Sequence, residues 1–243
     1  AKNNVTKGLV ANRFYTITSE GKGNALSCGA KTTIDTKGNI TWDLARAAKS
    51  ANSKFLWYLE ERDGKTYLYN PQSDSYFTGT AETKTTALCS KAEAPYFEAA
   101  CVSETNNTYT FNMKGSGQFI NSYSNTETGL WSGGSSDANN IWKVEEVTKV
   151  SVSIPTTGYT LGCYPFAMEL PEGVTAYVVG ATAIGNYNGA EYEYAVLEAI
   201  DSSIVPENMP VILAGENSTY TMNIIPEDET EIAKTNLLKG TNL

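Results

Sequence analysis

The chain has 243 residues, and 18 Lys and Arg against 27 Asp and Glu leave a net charge of −9 with a pI near 4.7. Length implies one large β domain or two modest ones, and the acidic balance excludes nucleic-acid and anionic-membrane partners, which need a basic footprint. Histidine is absent, which removes Ser/His/Asp and Cys/His catalysis, the imidazole base and nearly every catalytic zinc site, so no metal or cofactor is expected.

No charged and then apolar leader opens the sequence, and no run approaches the ~18 apolar residues of a membrane helix. The chain therefore reads as a mature segment without membrane insertion, and its aromatic-rich, charge-poor composition resembles that of extracytoplasmic proteins, secreted or at the cell surface. Turn-forming clusters such as GKGN, ERDG and KGSG separate short alternating runs such as YLYN and YTFN. This is the punctuation of an all-β chain. The one helix-like stretch, Trp42 to Ala51, predicts no more than a turn or two within a loop.

A repeat organises the first half. Tyr67, Tyr69, Phe77 and Leu88 recur as Tyr109, Phe111, Phe119 and Leu130, each pair 42 residues apart, and Tyr15, Ile17 and Leu26 begin an earlier copy lengthened by the polar stretch Lys31 to Asn39. Each copy closes on Ala, intervening polar or small residues, and an aromatic: Ala51 to Phe55, Ala92 to Tyr96, Ala138 to Trp142. Phe55, Tyr96 and Trp142 are thus expected in a core that the three copies share about one axis, since one copy cannot bury its aromatic alone.

After Val147 the pattern ends. Val150 to Ile154 alternates as a strand and stops at Pro155, which predicts a second, β-sandwich-like unit. The expected domains are residues 1–148 and 149–243. Within the second, Leu170 to Tyr177 and Ile204 to Leu213 read as strands, and Asn236 to Leu243 as the approach to another. The four cysteines, Cys28, Cys89, Cys101 and Cys163, form no CxxC; buried thiols fit them better than disulfides, with Cys89 to Cys101 the one pair to test.

Trp131 stands out as a chemical group because it borders a Gly/Ser-rich loop, Ser132 to Ser136. A flat indole suits the C–H face of a pyranose, whose hydroxyls need polar partners at the edge, and the amides of Asn139 and Asn140 offer donor and acceptor together. The competing reading makes Trp131 a cover over one barrel end and leaves the two asparagines satisfying backbone groups in a turn. Glu60-Glu61, Glu145-Glu146 and Glu227 to Glu229 are adjacent acids that point to opposite faces of a strand and so read as solvated edges. Asp63 and Asp74 lack the spacing of a calcium loop, and Gly21 to Asn24 is a hairpin turn, not a phosphate-binding loop. The Asn4, Asn106 and Asn217 sequons would matter only in a eukaryotic secretory pathway.

The threefold repeat, with Gly129-Leu130-Trp131 and Asp137 to Trp142 in its third copy, resembles the ricin-B-like β-trefoil lectins, whose repeats end in Asn-Gln-x-Trp. Here Asn140 stands where the signature has Gln. The resemblance spans about residues 9 to 148 and implies an N-terminal β-trefoil that binds a glycan or polysaccharide, with Trp131 stacking on the sugar and Asn139 and Asn140 bonding its hydroxyls. Asn112 occupies the position of the family's early-strand acid without its carboxylate. The second half resembles β-rich modules of secreted proteins from polysaccharide-degrading bacteria, through its LPEGVTAY and Ile204 to Leu213 segments. Together these imply a non-catalytic lectin-like or adhesin-like protein, with an accessory β-sandwich, that forms part of a larger glycan-processing polypeptide. The alternatives are a protein-interaction or inhibitor-type trefoil acting through the loop from Lys31 to Ser53, and a structural spacer without ligand.

Overall fold

A computed structural model of the chain describes residues 8–28, 44–46, 53–123, 127–227 and 229–240. It divides into two compact units, Ala1–Val147 and Thr148–Leu243. Trp42, Asn52, the stretch from Lys31 to Asn39 and the Asn4 sequon lie outside the described residues.

Among the described residues, the first unit holds twelve strands in three sets of four. Repeat one contains β1 (Phe14–Ser19), β2 (Asn24–Leu26), β3 (Leu44–Arg46) and β4 (Trp57–Arg62). Repeat two contains β5 (Lys65–Asn70), β6 (Ser75–Thr80), β7 (Thr85–Cys89) and β8 (Phe97–Ser103). Repeat three contains β9 (Thr108–Met113), β10 (Gln118–Asn121), β11 (Gly129–Trp131) and β12 (Trp142–Glu146). The first and last strands of the repeats pair in a ring, β1–β4–β5–β8–β9–β12 and back to β1, every pairing antiparallel. The middle strands form three hairpins, β2–β3, β6–β7 and β10–β11. A closed six-stranded barrel with three hairpins is the β-trefoil, and closure leaves the barrel no free edge.

The pairings also fix which residues of the repeats are equivalent. Ser19 faces Trp142, Asn70 lies in the row of Trp57, and Met113 faces Phe97. The aromatic layer is therefore Trp57, Phe97 and Trp142, exposed by 0, 2 and 0%. Both indoles are anchored: Trp57 Nε1 donates to the Leu26 carbonyl at 3.1 Å and Trp142 Nε1 to that of Ile120 at 2.9 Å. Buried indole N–H groups need such partners. Phe97 carries no donor and needs none.

This register corrects three sequence expectations. Of the expected closing aromatics only Trp142 is one: Phe55 is buried but belongs to a 3-10 turn, Ser53–Phe55, two residues before Trp57, and Tyr96 lies one residue before Phe97 and is only half-buried. The 42-residue echo is off by one over most of its length, because the core equivalents are Leu68 with Phe111 and Phe77 with Ile120, 43 residues apart. A slip of one residue exchanges the two faces of a strand, so Tyr67, Tyr69 and Phe119 sit only half-buried. Finally, the described part of the helix-like stretch, Leu44–Arg46, is strand β3, paired with β2.

The second unit is a pair of antiparallel sheets. Its strands are β13 (Lys149–Ile154), β14 (Tyr159–Gly162), β15 (Ala167–Glu169), β16 (Thr175–Tyr187), β17 (Ala190–Ala199), β18 (Ile204–Val205), β19 (Val211–Ala214) and β20 (Ser218–Ile225). They are ordered β13-β20-β15-β18 and β14-β19-β16-β17. Val150, Val152 and Ile154 alternate inward from β13 and Met222 and Ile224 from β20, with Phe166, Met168, Val178 and Leu213 completing a buried core. This is sandwich construction. The predicted strands there are broken by turns, at Pro171 to Gly173 and again at Pro206 to Pro210, where Asn208 takes a φ of 57°. Asn236 to Gly240 are not a strand; Leu237 N donates to Val179 O at 2.8 Å and Asn236 Nδ2 to Pro210 O at 2.8 Å.

Candidate functional site

β10 and β11 form a hairpin whose Ile120 and Leu130 face the core, each 1% exposed. Alternation then turns Phe119 and Trp131, which face each other across the hairpin, outward. Asn112 of β9 is the other register partner of Phe119. A row Asn112, Phe119, Trp131 thus crosses the outside of repeat three, spanning on the order of 10 Å over two strand spacings. Trp131 is 40% exposed, a large fraction for an indole, and the Asn112 amide has no hydrogen-bond partner among the described residues.

The segment from Ser132 to Ile141 folds back over this hairpin. It contains two 3-10 turns, Gly134–Ser136 and Ala138–Asn140. Gly133 at φ 109° and Gly134 at φ 53° make the reversal in the left-handed region that glycine adopts without strain. At Gly134 the loop meets Phe119: a Cβ there would lie 3.5 Å from the phenyl ring's Cζ.

Beneath the loop is a buried polar bundle. Asn140 is fully buried; its Nδ2 donates to the carbonyls of Gly134 (3.0 Å) and Ser132 (3.4 Å), and its Oδ1 accepts from Asn121 Nδ2 at 2.8 Å. Asp137 caps the second turn by accepting from the Asn139 backbone N–H at 2.9 Å, and its other oxygen accepts from Asn121 Nδ2 at 3.3 Å. Both ends of the Asn140 amide are therefore engaged inside the protein. That removes Asn140 from direct contact with a ligand and makes it the residue that shapes the loop. Asn139 points elsewhere, its Oδ1 accepting from Ser122 Oγ at 3.4 Å and lying against Gly21.

Of the four residues singled out from sequence, the structure aligns Trp131 with Asn112, puts Asn140 under the loop and turns Asn139 toward Ser122. Sequence reasoning missed two members. Phe119 enters the sequence reading only as a repeated apolar position, and the strand register reveals its outward face. Lys84, from the turn before β7, places its ammonium 3.8 Å from the centre of the Trp131 ring. Nothing in the local sequence around Trp131 signals it.

The corresponding row of repeat two lacks the indole, and Tyr69 and Tyr76 hold the positions of Asn112 and Phe119. Cys89 holds the Trp131 position, and Ala92, Ala94 and Pro95 stand where repeat three has Asp137, Asn139 and Asn140. The four cysteines are free thiols. Burial pushes the Cys28 and Cys89 thiols up to about 11, so neither is a nucleophile near neutrality. Among the described residues, no group of three or more Cys, Asp or Glu side chains is placed to hold a metal, and no helix is long and apolar enough to cross a membrane. Glu60 is held by Lys91 at 2.7 Å and Arg62 at 3.1 Å, and Glu145 by Lys143 at 2.8 Å.

No family model matches the chain, and no curated protein matches it in sequence. Among solved structures it is similar to ThreeFoil, a designed threefold-symmetric protein, at 14% identity and TM-score 0.46, over 55% of this chain and 99% of that one. A ricin B-like lectin of Macrolepiota procera, in complex with lactose, aligns at 12% identity and TM-score 0.45 over 58% of this chain and all of the lectin. A Clostridium perfringens endo-β-galactosidase that releases GlcNAcα1-4Gal aligns at 16% and 0.44 over 56% of this chain and 32% of the enzyme. Likenesses this loose carry no weight beside the strand pairings, which establish the trefoil by themselves.

Proposed function

We propose that the N-terminal unit is a non-catalytic carbohydrate-binding module of lectin or adhesin type in a secreted or cell-surface bacterial protein. Its partner would be a glycan or polysaccharide, and the C-terminal sandwich would serve as an accessory unit within a larger glycan-processing polypeptide. The observation that carries this reading is the outward row of Trp131, Phe119 and Asn112 beside a loop fixed by its own buried bundle. An exposed indole held at one angle gives a sugar ring a flat apolar seat, the Asn112 amide offers a donor and an acceptor, and a loop already ordered lowers the entropy cost of binding. Only repeat three carries the row among the described residues, so single-site affinity is weak and useful through multivalency.

The test is a glycan array with the 243-residue protein presented multivalently, beside Trp131→Ala. Wild type is expected to bind a defined set of glycans, and the variant to lose about 30-fold or more in affinity with its fold intact. Binding that survives the substitution moves the site away from repeat three. Silence from folded wild type overturns the lectin reading and favours a protein-binding trefoil.

A further inference from the structure

The closed barrel is thinly filled on one side. At the level of Tyr15 and Tyr109, which are 3% and 1% exposed, the equivalent residue of β5 is Thr66, only half-buried. On the last strands of the repeats, Leu59 and Val144 are sealed at 2% and 3%, whereas the equivalent residue of β8 is Ala99, again half-buried. Both reductions in side-chain volume belong to repeat two and face the same seam. That seam is also the least paired: Thr66 with Phe97 is the one register pair joining β5 to β8, against two each for β1–β4 and β9–β12.

A cavity of about 390 Å³ opens there, bounded by Leu9, Leu59, Phe97, Phe111, Thr66 and Ala99, with Lys65, Tyr96 and Glu98 at its rim. Its size falls within the ~300–1,000 Å³ of small-molecule sites. At ~30 Å³ for a water-sized group, it holds at most about a dozen non-hydrogen atoms. The floor is the apolar interior of the barrel, so an apolar body is favoured there. The rim is positive. Glu98 is neutralised by Lys114 at 2.6 Å, whereas Lys65 has no carboxylate partner among the described residues, its ammonium lying 5.0 Å from the Tyr96 ring centre.

We propose that this cavity binds a small amphiphilic anion, a ring or short alkyl chain entering the wall between β5 and β8 and a carboxylate meeting Lys65. The site is independent of the Trp131 row and does not rest on the sugar reading. The test titrates the 243-residue protein with 3-phenylpropanoate, 3-phenylpropan-1-ol and 3-phenylpropylamine, followed by calorimetry and by NMR shifts of the Thr66 and Ala99 amides. The acid is expected to saturate the site about fivefold more tightly than the alcohol, and the amine most weakly, a span suited to one rim-exposed ion pair. Lys65→Gln should bring the acid down to the alcohol. Thr66→Tyr and Ala99→Leu, each restoring a side chain found in a sister repeat, should abolish binding of all three. If one of these fails to fold, the other decides. No saturable binding, equal affinity across the three head groups, or binding that survives a folded filling variant would overturn the proposal.

Discussion

Repeats two and three are built on one plan and have kept opposite halves of it. Repeat three is sealed inside, with Tyr109, Phe111 and Trp142 each 1% exposed or less, and equipped outside with Trp131 over a buried Asn121–Asp137–Asn140 bundle. Repeat two lacks the indole and the polar bundle outside, with Cys89 and Ala94 at the matching positions, and is open inside at Thr66 and Ala99. The trefoil tolerates both because its stability comes from the shared aromatic layer and the closed ring of strands. Neither depends on what the outer loops carry. In such a scaffold a binding surface can be lost from one copy, or a gap opened in its wall, while the fold persists.

The sharpest way to break this comparison is at Asn140. Asn140→Ala removes three hydrogen bonds of the bundle, one from Asn121 Nδ2 and two to the carbonyls of Ser132 and Gly134, each worth ~0.5–1.5 kcal/mol. A loss of about 3 kcal/mol in urea unfolding is expected, together with loss of glycan binding. At the matching position of repeat two, Pro95→Ala should cost less than about 1 kcal/mol. Equal losses at the two positions would mean that the bundle does not set repeat three apart.

The reason Asn140 read from sequence as a sugar ligand shows where sequence reasoning ends. The three-copy plan, the all-β class and the change of character after Val147 were legible, because turn residues and apolar spacing report them directly. Register was not. Phe77 and Phe119 match in type at an interval of 42, yet Phe77 is core and Phe119 surface, since two-residue alternation makes an error of one an inversion. Trp57 escaped notice for a different reason: Phe55, two residues before it, already completes the Ala-to-aromatic spacing. The site suffered further, because whether an asparagine serves a ligand or a loop depends on which carbonyls surround it. Gly134 and Ser132 reach Asn140 only through the fold.

A second contrast lies in the thiols. Repeats one and two contain Cys28, Cys89 and Cys101, and repeat three, from Thr108 to Glu146, has none. Burial raises the Cys28 and Cys89 thiols from 9.0 to about 11. A thiol whose folded value is raised contributes stability that is complete below the unfolded value and is lost as pH rises through the folded one. Unfolding free energy should therefore fall between about pH 9 and 11, by on the order of 2 kcal/mol for Cys28, which is 4% exposed. Cys28→Ala should flatten that part of the profile relative to wild type. Hydrogen exchange across the same pH range, corrected for its intrinsic rate, should loosen repeats one and two before repeat three. A profile with the same slope in wild type and variant would show that the thiol does not carry the effect.

The smallest expected effect concerns Lys84, the residue of repeat two that reaches the Trp131 ring. Lys84 sits at φ 56° in the turn before β7; its carbonyl accepts from Leu130 N at 3.1 Å while its ammonium covers one side of the Trp131 ring at 3.8 Å. The carbonyl contact belongs to the backbone and survives substitution, so Lys84→Gln isolates the ammonium. An exposed cation–π contact is worth ~0.5–1 kcal/mol, which converts to a two- to fivefold loss of glycan affinity if the cation holds the indole at its binding angle. Thermal stability should be unchanged within error, and Trp131 emission should shift as its ring gains freedom. The opposite sign is equally informative. Tighter binding by Lys84→Gln would mean that the sugar takes the face the ammonium now covers, and repeat two would then restrain the neighbouring site instead of supporting it.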